Sequence, residues 1–193
     1  MKTSNNTLGA SNLSAKERSA LDYYGTDPKS TRALLDHELF NSKIWEPCCG
    51  HHLISDVLEE YGYEVRKSDI TEYEGYEHEI LDFLSDENRS IWNGDIVTNP
   101  PYNLTTDCVL KCLSLLRPGN KLAMFLRLQY LEGQERYEKI YSENPPKKIY
   151  VFVNRQTSSK DDDFSAGSAV AYCWYVWQKG YRGNLEIEFI KTK

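Results

Sequence analysis

Apolar positions along the chain follow two periods, and the changes between them mark out the elements. Lys43–Cys48 is a brief apolar run that breaks at Pro47, Cys48, Cys49 and Gly50, which predicts a strand ending in a turn. Leu53, Ile54, Val57, Leu58 and Tyr61 then recur at helical spacing, with Gly62 where a C-cap belongs. Tyr63–Lys67 reads as a second strand leading to Asp69, and Asp95–Thr98 as a third, stopped at once by Asn99-Pro100-Pro101-Tyr102. Between them residues 71–94 are polar, apart from a knot at Ile80, Leu81, Phe83 and Leu84. A helix is expected over Thr105–Leu116, closed by Pro118-Gly119, then an apolar strand over Lys121–Leu128 and a charged helix over 131–143, ended by Pro145-Pro146. Ile149–Asn154, Ala169–Trp177 and Leu185–Ile190 are three further strands rich in β-branched and aromatic residues, with a polar loop, Arg155–Gly167, after the first. Upstream, Ala33, Leu34, Leu35 and Leu39 suggest a short helix from Ser30, and a helical stretch is expected near Ala15–Leu21.

Strands alternating with helices predict a parallel sheet with crossover helices. The late strands with no helix between the last two predict an antiparallel hairpin at the far edge. The expected architecture is therefore one α/β sandwich: a seven-stranded, mostly parallel sheet with an antiparallel C-terminal hairpin. It occupies residues 21–193 behind a polar arm at 1–20. Trp174 and Trp177, three apart on a strand, face opposite sides and read as core.

Composition narrows the class. At 193 residues, 40% apolar and with 14 Tyr, 6 Phe and 4 Trp, the chain can fill one core and does not match the signature of disorder. No apolar run is long enough to span a membrane, and the polar start, Met1 to Ser14, lacks an apolar leader core; a cytoplasmic protein is expected. The net charge of -6 argues against a generic nucleic-acid coat. Its distribution is uneven: residues 51–110 carry 3 basic and 14 acidic side chains, and residues 111–160 carry 10 basic and 4 acidic. Only the face built by the later segment is suited to phosphates; a simple drift of surface charge gives the same numbers.

Five cysteines without a leader read as free thiols. Cys48-Cys49 followed by His51-His52 invites a zinc reading, but neighbouring residues on a strand point to opposite faces, so four ligands in five positions cannot close a tetrahedron. No metal site is expected. Asp161-Asp162-Asp163, with Arg155 and Lys160, reads as a solvated loop.

Three strand ends carry unusual chemistry, and in an open parallel sheet ligands bind beyond such ends. Glu46-Pro47-Cys48-Cys49-Gly50 turns tightly into a helix whose first N–H groups suit a carboxylate or phosphate, although it lacks the three-glycine phosphate fingerprint. Asp69 is placed to hold ribose hydroxyls, although an acid at such a position is also common as a simple helix or turn cap. Asn99-Pro100-Pro101-Tyr102 is the most specific: the prolines stiffen the turn and present the Asn99 side chain and the Pro100 carbonyl as acceptors beside a flat ring. Two acceptors and a ring suit a planar exocyclic amine.

On these residues the chain resembles the S-adenosylmethionine-dependent amino-methyltransferases with an Asn-Pro-Pro-Tyr motif. The likeness is greatest to the small phage and prophage DNA adenine-N6 methyltransferases without a separate target-recognition domain. It covers roughly residues 22–190. Asp22-Tyr23-Tyr24-Gly25-Thr26-Asp27-Pro28 is similar to the family's upstream cofactor motif, which implies Tyr24, Thr26 and Pro28 as cofactor residues. Glu46, Pro47, Cys48 and Gly50 look like its first cofactor loop, Asp69-Ile70 like its ribose-binding acid and following residue, and Asp82-Phe83 like the pair that meets the cofactor's adenine. Asn99, Pro100, Pro101 and Tyr102 match the catalytic motif without departure. Phe125–Gln129 and Ser168–Trp174 also look like the small phage members. One position departs: where the family has a second glycine or a small residue, His52 stands, able to crowd the cofactor or to contact its carboxylate.

The resemblance implies a Rossmann-like methyltransferase using S-adenosylmethionine, with direct transfer to an adenine taken out of the duplex. It implies DNA as partner, as a short or single-stranded target, and a partner subunit or homodimer to make up for the missing recognition domain. The same motif serves RNA-base and protein-glutamine methyltransferases, and a non-catalytic binder on the same fold is the remaining alternative.

Overall fold

The computed structural model describes residues 23–193 apart from Asp86, Asn88, Arg89, Lys160, Ala166 and Gly167; the arm at 1–20, the stretch Ala15–Leu21 and Asp22 lie outside the described residues. The central sheet has eight strands: β1 (Lys43–Glu46), β2 (Glu64–Asp69), β3 (Glu79–Ile80), β4 (Asp95–Thr98), β5 (Lys121–Arg127), β6 (Lys148–Phe152), β7 (Tyr172–Gln178) and β8 (Glu186–Ile190). Their spatial order is β3-β2-β1-β4-β5-β7-β6-β8, and every neighbouring pair is parallel except the two made by β7. The mixed, mostly parallel α/β sheet is the one expected. The eighth strand is β3, a two-residue edge piece within the polar stretch 71–94.

Alternation along the strands builds a core on each face. Trp45, Ile96, Leu122, Met124, Leu126, Tyr175 and Trp177 point to one side, where α3 (Thr105–Leu115) covers them with Cys108, Val109, Cys112 and Leu113. Ile44, Val97, Ala123, Phe125, Trp174 and Val176 point to the other, under α1 (Pro28–Leu35) and α2 (Leu53–Glu60). Trp174 and Trp177 thus pack on opposite faces. Local chemistry fixes the helix ends. The Asp27 side chain accepts from the Lys29 amide at 2.9 Å, and Pro28 fills the first turn. Gly62, at φ 88°, lets the chain leave α2. The charged segment expected at 131–143 is helical only over Gln134–Tyr141, its second half a π-turn.

The last strands depart from the expected hairpin. β7 enters between β5 and β6, antiparallel to both (Phe125 opposite Trp174, Tyr150 opposite Trp174), and β8 lies outside β6 and parallel to it. The reason is burial. β7 is apolar on both faces and buried along nearly its whole length, so it belongs inside the sheet. β8 carries Glu186 and Glu188, which pair with Lys148 at 3.5 and 3.2 Å, and its other face is exposed; it suits an edge. This order has a consequence for the site. β6 ends and β7 begins at the same edge, so residues 153–171 need no crossover and stay above the carboxyl ends of the parallel strands. Among the described residues, no helix is long and apolar enough to cross a membrane.

At the opposite edge Asp95, 1% exposed, opens β4. It accepts the Asn41 amide at 2.7 Å, the Asn41 side chain at 2.8 Å and the Lys121 amide at 2.7 Å. Asp95→Ala leaves these part-buried donors without their acceptor and is expected to cost about 1–2 kcal/mol. Urea unfolding checks this, and an unchanged midpoint would mean that water replaces the carboxylate.

Candidate active site

The sheet order reverses between β1 and β4, and the crevice opens at their carboxyl ends. A cavity of about 210 Å³ lies there. Pro47 and Cys48 after β1, Asp69 and Ile70 at the end of β2, Asp82 and Phe83 before β4, and Pro101 after it all line it. Seven residues proposed from the sequence thus meet at one hollow, although they come from four separate segments.

Asp69, 7% exposed, joins the loops around this hollow. One carboxylate oxygen accepts the Gly50 amide at 3.0 Å and the other the Thr71 amide at 3.0 Å. Burial pushes its carboxyl upward, and those two N–H groups pull the other way. Gly50 is at φ 47°, and a Cβ there would meet the Tyr23 ring at 2.3 Å, so only glycine fits. Asp82 caps its own turn, accepting the Leu84 amide at 3.0 Å. Phe83 is buried edge-on against Trp45, with 5.3 Å between ring centres.

Glu46 lies deeper. It is 1% exposed and takes the Ser55 hydroxyl, and burial holds its carboxyl well above the usual range. With Tyr24, Thr26, Cys48 and Asn99 it lines a second hollow of about 20 Å³. The Cys48 thiol bonds to that of Cys108 and is held protonated by this contact and by burial.

Asn99 leaves β4 where Pro100 and Pro101 end the ladder. Its side-chain nitrogen donates to the Tyr24 carbonyl at 2.8 Å and to Thr26 Oγ1 at 3.0 Å. Both donor hydrogens are thereby used. Asn99 Oδ1 is buried and has no partner among the described residues. A buried acceptor without a donor is costly in a folded protein, and one at a strand end beside a cavity marks a place for a ligand donor. Thr26 is itself held by a two-residue antiparallel ladder, Gly25–Thr26 against Ser158–Ser159.

Tyr102 adjoins this arrangement. Its hydroxyl lies 3.0 Å from Ser158 Oγ, and the Tyr24 ring centre is 5.5 Å from its own. Burial pushes its phenol up, so it stays neutral. The Arg127 guanidinium sits 4.9 Å from the ring centre. Beyond it a hollow of about 170 Å³ is lined by Tyr102, Thr105, Arg127, Gln129, Tyr130 and Arg136.

Of the proposed residues, Pro28, Gly50, His52 and Pro100 line none of these three hollows. Pro28 starts α1 and lines neither cavity at the strand ends. His52 has the left-handed backbone, φ 61°, that a glycine at this position would adopt freely, but its ring turns away to His78 and lines neither cavity. Conversely, Tyr23, Tyr73, Leu104 and Cys108 line the 210 Å³ cavity, and Asp162 holds Tyr23 from behind. Asp162 accepts the Tyr23 hydroxyl at 2.8 Å and lies 2.6 Å from His51 Nδ1. Nothing in the acidic run 161–163 distinguishes the middle residue; the antiparallel β7 selects it by keeping its loop at this edge.

No protein-family model matches the sequence, and no curated protein matches it. Solved structures do. A Listeria monocytogenes protein described as a class I S-adenosylmethionine-dependent methyltransferase superposes with a TM-score of 0.57 at 8% identity, over 92% of this chain and 67% of its own. The M protein of the type I restriction enzyme EcoKI gives 0.57 at 13% identity, over 93% of this chain and 46% of its own. A Pyrococcus horikoshii protein described as an RNA methyltransferase gives 0.52 at 14% identity, over 84% of this chain and 81% of its own. At such identities the likeness is one of architecture: the chain has the fold of the class I S-adenosylmethionine-dependent methyltransferases.

Proposed function

We propose that the protein transfers a methyl group from S-adenosylmethionine to the exocyclic N6 of adenine in DNA. The observation that carries this reading is Asn99, whose amide nitrogen is used up by Tyr24 and Thr26 and whose buried Oδ1 is left to accept.

The hollow suits the cofactor on its own chemistry. Asp69 keeps lone pairs beyond those used by Gly50 and Thr71 and would hold ribose hydroxyls. Phe83 and Ile70 offer flat apolar surface to a purine, with Asp82 beside them as an acceptor for its amine. Gly50, which a Cβ would close, lets the backbone approach the methionine end, near Glu46, Pro47 and Cys48. The cofactor, when bound, supplies an electrophilic methyl group. Asn99 Oδ1 and the Pro100 carbonyl would accept the two amino protons of the target, which orients its nitrogen and raises electron density there. The Tyr102 ring would stack on the base. The neutral thiols have no part in direct transfer.

Arg127 and Arg136 line the hollow on the far side of Tyr102. Two guanidinium groups there favour an anionic, phosphate-bearing acceptor over a protein glutamine. This supports a nucleic acid, and the resemblance of the sequence to the small phage adenine methyltransferases favours DNA over RNA.

Incubated with radiolabelled S-adenosylmethionine and unmethylated genomic DNA, RNA or cell protein, the protein is expected to label DNA, as N6-methyladenine after digestion. Label confined to RNA or protein would replace the acceptor, and none in any of the three would overturn the proposal. Asn99→Ala should slow transfer by about 100-fold or more while leaving cofactor affinity, read by calorimetry, nearly unchanged; equal loss of both would make Asn99 a structural residue. Arg136→Ala should weaken DNA binding and flatten its dependence on salt by about one phosphate contact. An unchanged slope would put the phosphates elsewhere.

A further inference from the structure

Behind the first cofactor loop, Cys49, His52 and His78 form a cluster that the proposed methyl transfer does not use. Their sulfur and ring nitrogens all lie within 4.8 Å of one another. Cys49 and His52 are 4% and 7% exposed, and His78 is half-buried. We propose that Cys49, His52 and His78 bind a divalent transition-metal ion of the zinc class, with one coordination position left to water.

Three features carry this. The first is spacing. His52 Nε2 and His78 Nδ1 face each other at 3.2 Å. Two imidazole nitrogens on one tetrahedral zinc ion, at ligand distances of about 2.0–2.1 Å, would lie roughly 3.3 Å apart, so the rings already stand where such an ion needs them. The second is the outer partner of His78. Its Nε2 lies 2.9 Å from the Thr71 carbonyl, which can only accept. Nε2 therefore carries the hydrogen in the neutral ring, and the lone pair of Nδ1 is directed to His52. Ligating histidines are commonly fixed by such a bond to a backbone carbonyl. The third is strain. The His52 amide donates to the Cys49 carbonyl at 2.8 Å, closing a tight turn, and His52 holds φ 61° without being glycine. A left-handed backbone at a non-glycine residue is disfavoured and persists where something else needs the side chain. Here the turn brings the Cys49 sulfur and the His52 ring together.

The donor set, one sulfur and two imidazoles, suits zinc better than magnesium or calcium, which prefer oxygen. Burial and the nearby Lys67 favour the neutral form of His52, the form that ligates. Burial, with Glu46 and Asp69 close by, keeps the Cys49 thiol protonated in the free protein. Binding would break that S–H bond and send its proton to solvent, shift the His52 ring hydrogen from Nε2 to Nδ1, and form one metal–sulfur and two metal–nitrogen bonds, with no change of oxidation state. Four ligands within residues 48–52 alone cannot close a tetrahedron. Cys48 points into the cavity wall and His51 to Asp162. The third ligand comes instead from the segment before β3, so the ion would tie the loop after β1 to the loop after β2.

Zinc titrated into the full chain, purified under reducing conditions, is expected to bind at one equivalent and raise the melting temperature. Cobalt in its place should give thiolate-to-metal charge-transfer absorption. His78→Gln, at a half-buried loop position, should lower zinc affinity at least tenfold and remove the thermal shift while leaving the circular dichroism unchanged. Cys49→Ser should remove the charge-transfer band, and His51→Ala should change neither property. No zinc uptake by the wild type, equal uptake by His78→Gln, or loss of uptake in His51→Ala would overturn the proposed ligand set. None of these readouts involves methyl transfer, so they stand apart from the fate of the proposed activity.

Discussion

β4 is paired on both sides and buried on both faces, yet it stops after Thr98, because Pro100 and Pro101 have no N–H with which to continue a ladder. The abrupt stop puts Asn99 at the crevice. What holds it there is a pair of hydrogen bonds from its amide to the segment 24–26. That segment is held in turn by Ser158–Ser159, and Ser158 also meets Tyr102. Three stretches far apart in sequence therefore fix one side chain. The loop that supplies the outermost is at this edge only because β7 runs against its neighbours.

The two halves of the chain divide the work by charge. The acidic stretch 51–110 supplies most of the large cavity, with Asp69 and Asp82 in its lining. The basic stretch 111–160 supplies Arg127 and Arg136 on the other side of Tyr102. A cationic cofactor on the acidic side and an anionic acceptor on the basic side are what this division would suit. It would also reconcile a net charge of -6 with the proposed nucleic-acid acceptor, since a steering field of this kind is local.

Much of this was readable from local pattern. The strands that carry both cores are strongly apolar, and the helices keep a 3.6 period, so their existence follows from the chain alone. Pro47, Asp69 and Pro101 could be read as candidate site residues because each sits where an apolar run breaks, whereas Asp82, inside an apolar knot, is suggested by the family resemblance alone. β3 could not, being two exposed residues in a polar stretch. The order of the last strands was misread because sequence proximity suggests a hairpin, whereas the buried length of β7 and the charged face of β8 decide their seats. Cys108 lies inside the expected helix and Leu104 just before it, and no local signal marks either as part of the cavity wall. His78 carries no signal of its own: its partners lie 26 and 29 positions earlier, and only the left-handed turn at His52 brings them to it.

The account rests on the free oxygen of Asn99 being the acceptor for a substrate amine. The most direct test is a crystal structure of the protein with S-adenosylhomocysteine and an adenine-containing single-stranded oligonucleotide. The account predicts the adenine amino nitrogen at about 3 Å from Asn99 Oδ1, with Tyr24 and Thr26 still holding the amide nitrogen. An adenine bound elsewhere, or an Asn99 amide turned so that its oxygen faces Thr26, would contradict it.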